Sequence, residues 1–481
     1  MLHLTLQSTG FPPVYSLARN AWCCYALVMG IKCEDMIDIA IRAGAIVLEN
    51  GGETYRTEAT VNKIARALGA KTASSFVTPT VIQFSYTDDN DHYHTAIRRI
   101  KKRGVNLDKI ALIDELTRRI EKKKKTYEPR VIESLLSRIE NAPVYKKPFV
   151  LVAAALSSFC FAFMFGGSLA EASVAFVIGF VLRLFLIFSQ QKQFGSFSTS
   201  LLSGAITSVL AEIAFLIGFI PTTEITLISV LMQVVPGIAI VNAIRDIIEG
   251  DLVSGAARLL DAFMVAAGLS VGAVSALYLF SVFNVATTVV GNSLGVAGTL
   301  FGTESVSSVT VFDSDAVSSG AETAEYGFLF LSALAASVWG GGASGFSSVY
   351  LHAKPLDILI GAFCGAAGWF VFTFTGGVGA SSYLAGSFVV AVMAEILGAM
   401  LKTPATVFLL PGLLPLVPGG GMFLTMRSAV NGLMAESLSN AYTTLFAAGS
   451  IALGIALASS GRRLLVLLGI KKDTFTKGSA F

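Results

Sequence analysis

The chain is poor in charge. Of its 481 residues only 14% are Asp, Glu, Lys or Arg, and no Lys or Arg occurs anywhere from position 259 to 353. Soluble domains carry about 25% charged residues, so an ordinary water-soluble fold is excluded for most of the chain. Histidine is scarce, at 4, and so is cysteine, at 5. Cys23, Cys24, Cys33, Cys160 and Cys364 fall into no disulfide or zinc spacing, and neither a metal nor a cofactor is expected. Cys160 and Cys364 lie in apolar runs, where a small buried hydrophobe is the expected role. The N-terminus lacks a basic n-region and a small-residue cleavage site. Its apolar patch "AWCCYALVMGI" is about half the length that spans a bilayer, so residues 1–33 read as an extension that packs on the next domain or lies at the interface.

What is abundant is apolar: 54% of residues, with mean hydropathy +0.69. Residues 1–148 hold 23 Lys/Arg and 16 Asp/Glu, whereas 149–481 hold 12 and 16. A basic domain at 34–148 therefore precedes a membrane region. Crossing the hydrocarbon takes roughly 20 apolar residues, and ten such segments follow, near 149–165, 170–189, 197–219, 224–244, 252–283, 327–347, 356–376, 380–401, 405–427 and 434–460. They form two sets of five, 149–283 and 327–460, around a linker at 284–326 with five acids and no base. Lys192, Arg245, Lys354, Lys402 and the basic tail at 461–481 all fall on the side of the basic domain. By the preference of Lys and Arg for the cytoplasmic side, both termini are cytoplasmic and the linker is outside. The expected fold is an α-helical polytopic membrane protein of about ten transmembrane helices, preceded by a small α/β cytoplasmic domain.

The two sets repeat. "LMQVVPGIAIVNAIRD" (231–246) aligns with "LLPLVPGGGMFLTMRS" (413–428), so that Pro236-Gly237 matches Pro418-Gly419, Arg245 matches Arg427, and Gly250 matches Gly432. Glu212 and Glu395 each stand nine residues before a proline, Pro221 and Pro404. Five spans is an odd number, so the second set enters from the opposite side, giving inverted repeats with Arg245 and Arg427 at opposite faces. Proline lacks an amide donor and glycine is a poor helix former. The Pro-Gly pairs read either as kinks with close packing or as breaks, tolerable in lipid only where the freed backbone is buried or lines a cavity. A break exposes amides and a positive dipole end that suit a carboxylate. Pro236, Gly237, Asn242, Pro418, Gly419, Gly420 and Gly421 are the expected substrate contacts, with Gln233 beside them.

Ionisable groups at membrane depth are costly and face a pathway or a partner. Arg183, Glu212, Arg258, Asp261 and Glu395 are the candidates. Arg258 and Asp261 are three apart, which suits an ion pair on one helix face. Arg183 is placed to neutralise a carboxylate, and Glu212 and Glu395 to carry a proton. Arg245, Asp246 and Arg427 are expected to gate, and Glu171 and Glu224 to be interfacial.

In the basic domain, 34–69 reads as two helices joined by "NGGE", "ASSFVTPTVIQFSY" as strands broken at Pro79, "DDND" as a turn, and 107–124 and 128–140 as amphipathic helices. "EKKKK" reads as a solvated or lipid-headgroup-facing run with no nucleic-acid role. "AGAIVLENGGETYRTEATVNKIARALGA" with "SSFVTPT", "VVPGIAIVNAIRDIIEGDLVSGAARLLDA" and "LVPGGGMFLTMRS" together resemble the threonine/serine exporter family over about 34–470. That resemblance implies ten spans and proton-driven export of small amino acids from the plasma membrane; split relatives are linked to succinate export. It highlights Glu49, Asn50, Gly51, Gly52, Glu53, Thr54, Tyr55, Arg56, Ser75, Phe76, Thr78 and Pro79, of which Glu53, Tyr55 and Arg56 are placed to contact the membrane domain as a gate. The family's soluble part has been likened to hydrolases, but Ser74, Ser75, His92 and His94 have no nucleophile motif around them, so no enzyme is expected. His92 and His94 would share one strand face, as a surface strand or a metal site.

The reading is a proton-driven secondary exporter of threonine and serine; the alternatives are a dicarboxylate exporter, needing a second cation such as Arg183 or Arg258, and a membrane enzyme or sensor acting through 34–148. The expected partners are a small amino acid or carboxylate, protons and lipid, with a homo-oligomer left open.

Overall fold

A computed structural model describes residues 33–88, 90–101, 104–122, 128–142, 145–292, 322–377 and 379–467. They form sixteen helices and three strands. The expectations for residues 1–32, for most of the central linker and for 468–481 lie outside the described residues.

The first helix, α1 (Cys33–Glu49), buries Met36, Ile39, Ala40, Ala43, Ile46 and Val47, the three-and-four spacing of a helix facing a core. It stops where "NGG" makes it stop. Gly51 sits at φ 91°, and the Gly52 amide donates to the Val47 carbonyl at 2.9 Å. A Cβ on Gly52 would lie 2.3 Å from the Val47 side chain. α2 (Thr54–Leu68) then runs to Gly69, whose φ of 118° closes it. β1 (Thr72–Thr78), β2 (Val81–Thr87) and β3 (Tyr93–Arg99) form an antiparallel sheet in that order, turning at Pro79-Thr80. α3 (Leu107–Lys122) and α4 (Pro129–Glu140) complete the domain. Its core joins Ile39, Val61, Ile64, Phe84, Tyr86, Ile113, Ile120 and Ile132, and Arg42 ties α1 to Glu140 of α4 by two hydrogen bonds. His92 precedes β3 rather than sharing a strand face with His94. Its backbone, with that of Asn90, is pinned to the Asp88 carboxylate in a turn, and both rings come within 3.5 Å of Asp88. No cluster fit for a metal occurs among the described residues.

The helical region follows: α5 (Lys147–Met164), α6 (Leu169–Gln191), α7 (Ser196–Leu216), α8 (Glu224–Leu231), α9 (Gly237–Glu249) and α10 (Leu252–Asn292), then α11 (Glu322–Tyr350), α12 (Pro355–Phe374), α13 (Ala380–Leu401), α14 (Thr406–Leu413), α15 (Gly419–Val430) and α16 (Met434–Leu467). Eight of these are long and apolar enough to cross a membrane. The expected fourth and ninth spans are not single helices: each is a short pair, α8–α9 and α14–α15, because Pro236 and Pro418 stand where a helix needs a donor. α10 continues to Asn292 and α11 starts at Glu322, both inside the stretch read as the linker. The expected tail begins inside α16.

Helix packing in one set mirrors packing in the other. α5 packs on α6 as α11 does on α12, α7 on α10 as α13 on α16, and α9 on α10 as α15 on α16. Across the sets, α10 meets α15 and α16 meets α9, while α5 and α11 pack on each other. Ser157 faces Ser347, Cys160 faces Gly342 and Phe163 stacks on Trp339. Rising numbers on α5 thus meet falling numbers on α11, and the two first helices run antiparallel. α7 and α10 are parallel and close: Cβ atoms on Gly204 and Gly272 would lie about 2 Å from the Leu269 and Leu201 carbonyl oxygens, a small-residue contact of the kind that joins helices in lipid.

Candidate functional site

The two breaks touch each other. After Leu231 and Leu413 the chains turn with the same bonds, Val234 and Val235 amides to Leu231, Leu416 and Val417 amides to Leu413. The helices restart at Gly237 and Gly419. A Cβ on Gly237 would lie 1.9 Å from Val417 Cγ1 and 3.5 Å from the Gly419 Cα; one on Gly419 would lie 2.7 Å from Val235 Cγ1. Each glycine therefore receives the valine that precedes the other break, and no larger residue fits. The first-turn amides of α9 and α15 have no partner within their own helices, and the positive ends of both helix dipoles meet here. Two like dipole ends repel unless something negative lies between them, so the crossing is suited to a carboxylate. The repeat persists downstream, where Gly250 and Gly432 both take positive φ and cap through matching bonds, Asp251 amide to Asp246 and Leu433 amide to Ser428. Asn242, half-buried on α9, makes no side-chain hydrogen bond among the described residues. Gln233 does not face the break as expected. Its amide nitrogen lies 3.0–3.3 Å from Ser158 Oγ and from the Ala154 and Gly179 carbonyls, so α5 and α6 hold it.

At the far end of α9 the N-terminal domain closes over a buried charge cluster. Arg245 donates from Nη1 to Glu53 Oε1 at 2.5 Å, from Nε to Glu249 at 3.0 Å and from Nη2 to the Tyr55 hydroxyl at 3.2 Å. The Arg245 and Glu53 side chains are only 9% and 6% exposed. Burial raises the Tyr55 phenol above its ordinary range, as does the Glu53 carboxylate beside it, so Tyr55 stays neutral. Arg258 does not confine itself to its own helix. Its Nε lies 3.0 Å from Asp246 Oδ2 on α9, without hydrogen-bond alignment, and Nη2 donates to the Gly52 carbonyl. α9 and α10 pack closely, which brings Asp246 as near as a residue one turn away. Thr54 donates to Asp251, and Arg56 to Thr406 at 2.6 Å. The sequence placed Glu53, Tyr55 and Arg56 near the membrane region, and the structure brings all three to it.

The domain touches three connections of the helical region: 249–258, through Thr54 and Val77; 351–353, through Leu107, Asp108 and Tyr145; and 402–406, through Arg56 and Arg118. Arg245 is on that side. Arg427 is not, since its Nη1 lies 3.8 Å from Glu224 at the opposite end of the α8–α9 pair. Glu224 is thus more than interfacial, a partner that sequence spacing did not reveal. Nor is Glu171 merely interfacial. It is 3% exposed, forms a capping box with Ser168 and accepts from Thr222.

Among the described residues Arg183 meets no carboxylate. It donates to the Tyr350 carbonyl at 3.3 Å and lies 4.8 Å above the Tyr350 ring, because α6 meets the end of α11 rather than an acidic helix. Glu212 is half-buried on α7 with no hydrogen bond or ion pair among the described residues. Glu395 holds the corresponding place on α13, and Asp261 lies on α10 within its first turns. Cys160 and Cys364 are buried, as their apolar settings require.

Residues 38–280 match a family described as "Putative threonine/serine exporter", and residues 342–460 match "Threonine/Serine exporter, ThrE". The chain is similar to the threonine/serine exporter of Corynebacterium glutamicum, 21% identical over 93% of this chain and 85% of that one. Half of the chain is similar to the "Probable succinate transporter subunit YjjP" of Klebsiella aerogenes and of Escherichia coli, 22% and 23% identical, over 50% of this chain and 93% of each relative. No solved structure matches. With eight helices able to cross a bilayer and two family matches that together span both helical sets, the chain is a multi-pass membrane protein and belongs to the threonine/serine exporter family.

Proposed function

We propose that this protein is a secondary active exporter of small amino acids, threonine and serine, across the plasma membrane, driven by the proton gradient. The observation that carries the reading is the reciprocal crossing of Val235-Pro236-Gly237 and Val417-Pro418-Gly419, where two helix N-termini converge on a point suited to a carboxylate. The antiparallel α5–α11 contact and the mirrored packing support ten crossings arranged as two inverted five-span repeats. Broken helices at a repeat interface are the arrangement in which secondary transporters hold their substrates. The domain's contact with 249–258, 351–353 and 402–406, which lie beside Arg245 and Lys354 and include Lys402, supports a cytoplasmic domain and cytoplasmic termini.

In this reading Arg245, Asp246, Glu53, Tyr55 and Arg56 form the inner gate and Arg427 with Glu224 the outer one. Glu212 and Glu395 carry the proton, since the two carboxyls stand at matched places in the repeat, nine residues before Pro221 and Pro404, and ionisable groups at membrane depth face a pathway or a partner. The test is counterflow in proteoliposomes with serine and threonine inside or outside, repeated with succinate. Serine-driven uptake of labelled serine that succinate does not stimulate supports the reading; succinate exchange alone overturns it in favour of a dicarboxylate exporter. Charge-neutral Gln at both Glu212 and Glu395 should abolish stimulation by a proton gradient while leaving counterflow.

A further inference from the structure

Arg183 is a cation among apolar helices, and among the described residues no acid balances it. Among the described residues its polar contacts are the Tyr350 carbonyl and the face of the Tyr350 ring, and its Nε is sealed from solvent without a partner. A charge at membrane depth is costly, and such residues in membrane helices face a pathway, a cavity or a partner. The neighbours do not supply the missing charge. His352, two residues past Tyr350, has a buried Nδ1 without a partner, and burial, aided by Arg183 and Lys109, lowers its imidazole to about 4. Asp108, whose amide donates to the His352 carbonyl, has its carboxylate 3.5 Å from Lys354.

Polar groups lead from this place to the breaks. Tyr350 donates to Ser347, and Ser347 is 2.9 Å from Ser157 on α5. The next residue, Ser158, holds Gln233, which stands three positions before Pro236. Gln233 also meets Gly179, one turn before Arg183 on the same face of α6. Its Oε1 is buried and unpartnered. Ser347, Ser157, Ser158 and Gln233 thus place polar groups between Tyr350, beside Arg183, and the segment that precedes Pro236, with Gln233 itself turned towards α5 and α6.

We propose that Arg183, held in place by its bond to the Tyr350 carbonyl, forms with His352 a carboxylate-binding station on the domain side of the breaks, taking the carboxylate of a small metabolite. This deepens the transport reading and rests on it for the identity of the metabolite, though not for the existence of the site. Arg183 Nε and Nη groups would supply the paired donors that a carboxylate accepts.

The test uses the full chain purified in neutral detergent, with succinate and, separately, serine as probes and the shift in unfolding temperature as the readout. Wild type should be stabilised by millimolar succinate or serine, and Arg183→Gln should need at least tenfold more of the same probe. Arg183→Lys, which keeps charge but loses the fork, should fall between. Because Arg183→Gln removes an unbalanced charge, its probe-free unfolding temperature should not fall, which separates a lost site from a lost fold. Equal probe responses in wild type and Arg183→Gln would overturn the site. So would an Arg183-dependent shift given by phosphatidylglycerol and by neither probe, since the oxyanion would then be a lipid headgroup. If the binding difference holds while no counterflow of any amino acid or dicarboxylate occurs, the transport reading fails and the site stands.

Discussion

Arg245 of α9 and Glu53 of the N-terminal domain form an ion pair at 2.5 Å with both side chains more than nine-tenths buried. It joins the domain to the broken helix. Removing one partner from a buried pair strands the other charge, at about 3–5 kcal/mol. Glu53→Ala and Arg245→Ala should each lower the unfolding temperature of the purified protein strongly. The double variant should lose much less than the two single losses added, since neither charge is then stranded. Additive losses would show that the two residues act separately.

The glycines at the crossing give a second expectation. Gly237→Ala should cost about 1–3 kcal/mol through overpacking, since its methyl would strike Val417. Val417→Ala should recover part of the loss by removing the struck atom. Gly419→Ala with Val235→Ala should behave the same way, whereas Gly449→Ala on α16, with nothing within 4 Å of its Cβ, should be neutral or mildly stabilising. Unfolding temperature and counterflow rate are the measurements.

Sidedness can be read with cysteine labelling in intact cells, on a background without native cysteines. Cysteines at Glu224 or Arg427 should react with a membrane-impermeant maleimide added outside. A cysteine at Glu249 should react only after the membrane is opened. Labelling of all three from one side would remove the inverted arrangement.

The 351–353 connection should respond to acid through His352. The groups around it are Arg183 on α6, Lys109 and Asp108 on α3, and Lys354 in its own connection. Its folded pKa of about 4 lies below the ordinary 6.5, chiefly through burial. The neutral ring therefore contributes stability that is complete above pH 6.5 and is lost as pH falls towards 4, by up to about 1.4 kcal/mol per pH unit. His352→Gln should flatten the unfolding temperature between pH 6.5 and 4 relative to wild type; an unchanged slope would assign the acid response elsewhere.

Much of the architecture was legible in the residues. Apolar runs of membrane length, the missing Lys and Arg between 259 and 353, and Pro-Gly at matched places depend on local chemistry: hydration of charge, the proline nitrogen without a hydrogen, and the turn that glycine permits. The same local rules marked "NGG" as a helix end and placed strands on either side of a break at Pro79. Glu53, Tyr55 and Arg56 were marked by the family resemblance rather than by these rules, and only as residues facing the membrane region.

Which charge meets which was decided by the tertiary structure. Arg258 met Asp246 on another helix rather than staying with Asp261 alone, Arg427 met Glu224 from the other helical set, and Arg183 met Tyr350 instead of a carboxylate. Spacing along one helix can propose partners within a turn or two, but partners across helices depend on crossing angles and interhelical distance, which no single segment encodes. The break told the same lesson. The sequence allowed kink or interruption at Pro236-Gly237, and the choice fell to interruption where Val417 and Gly419 pack against the freed backbone and shield it from lipid.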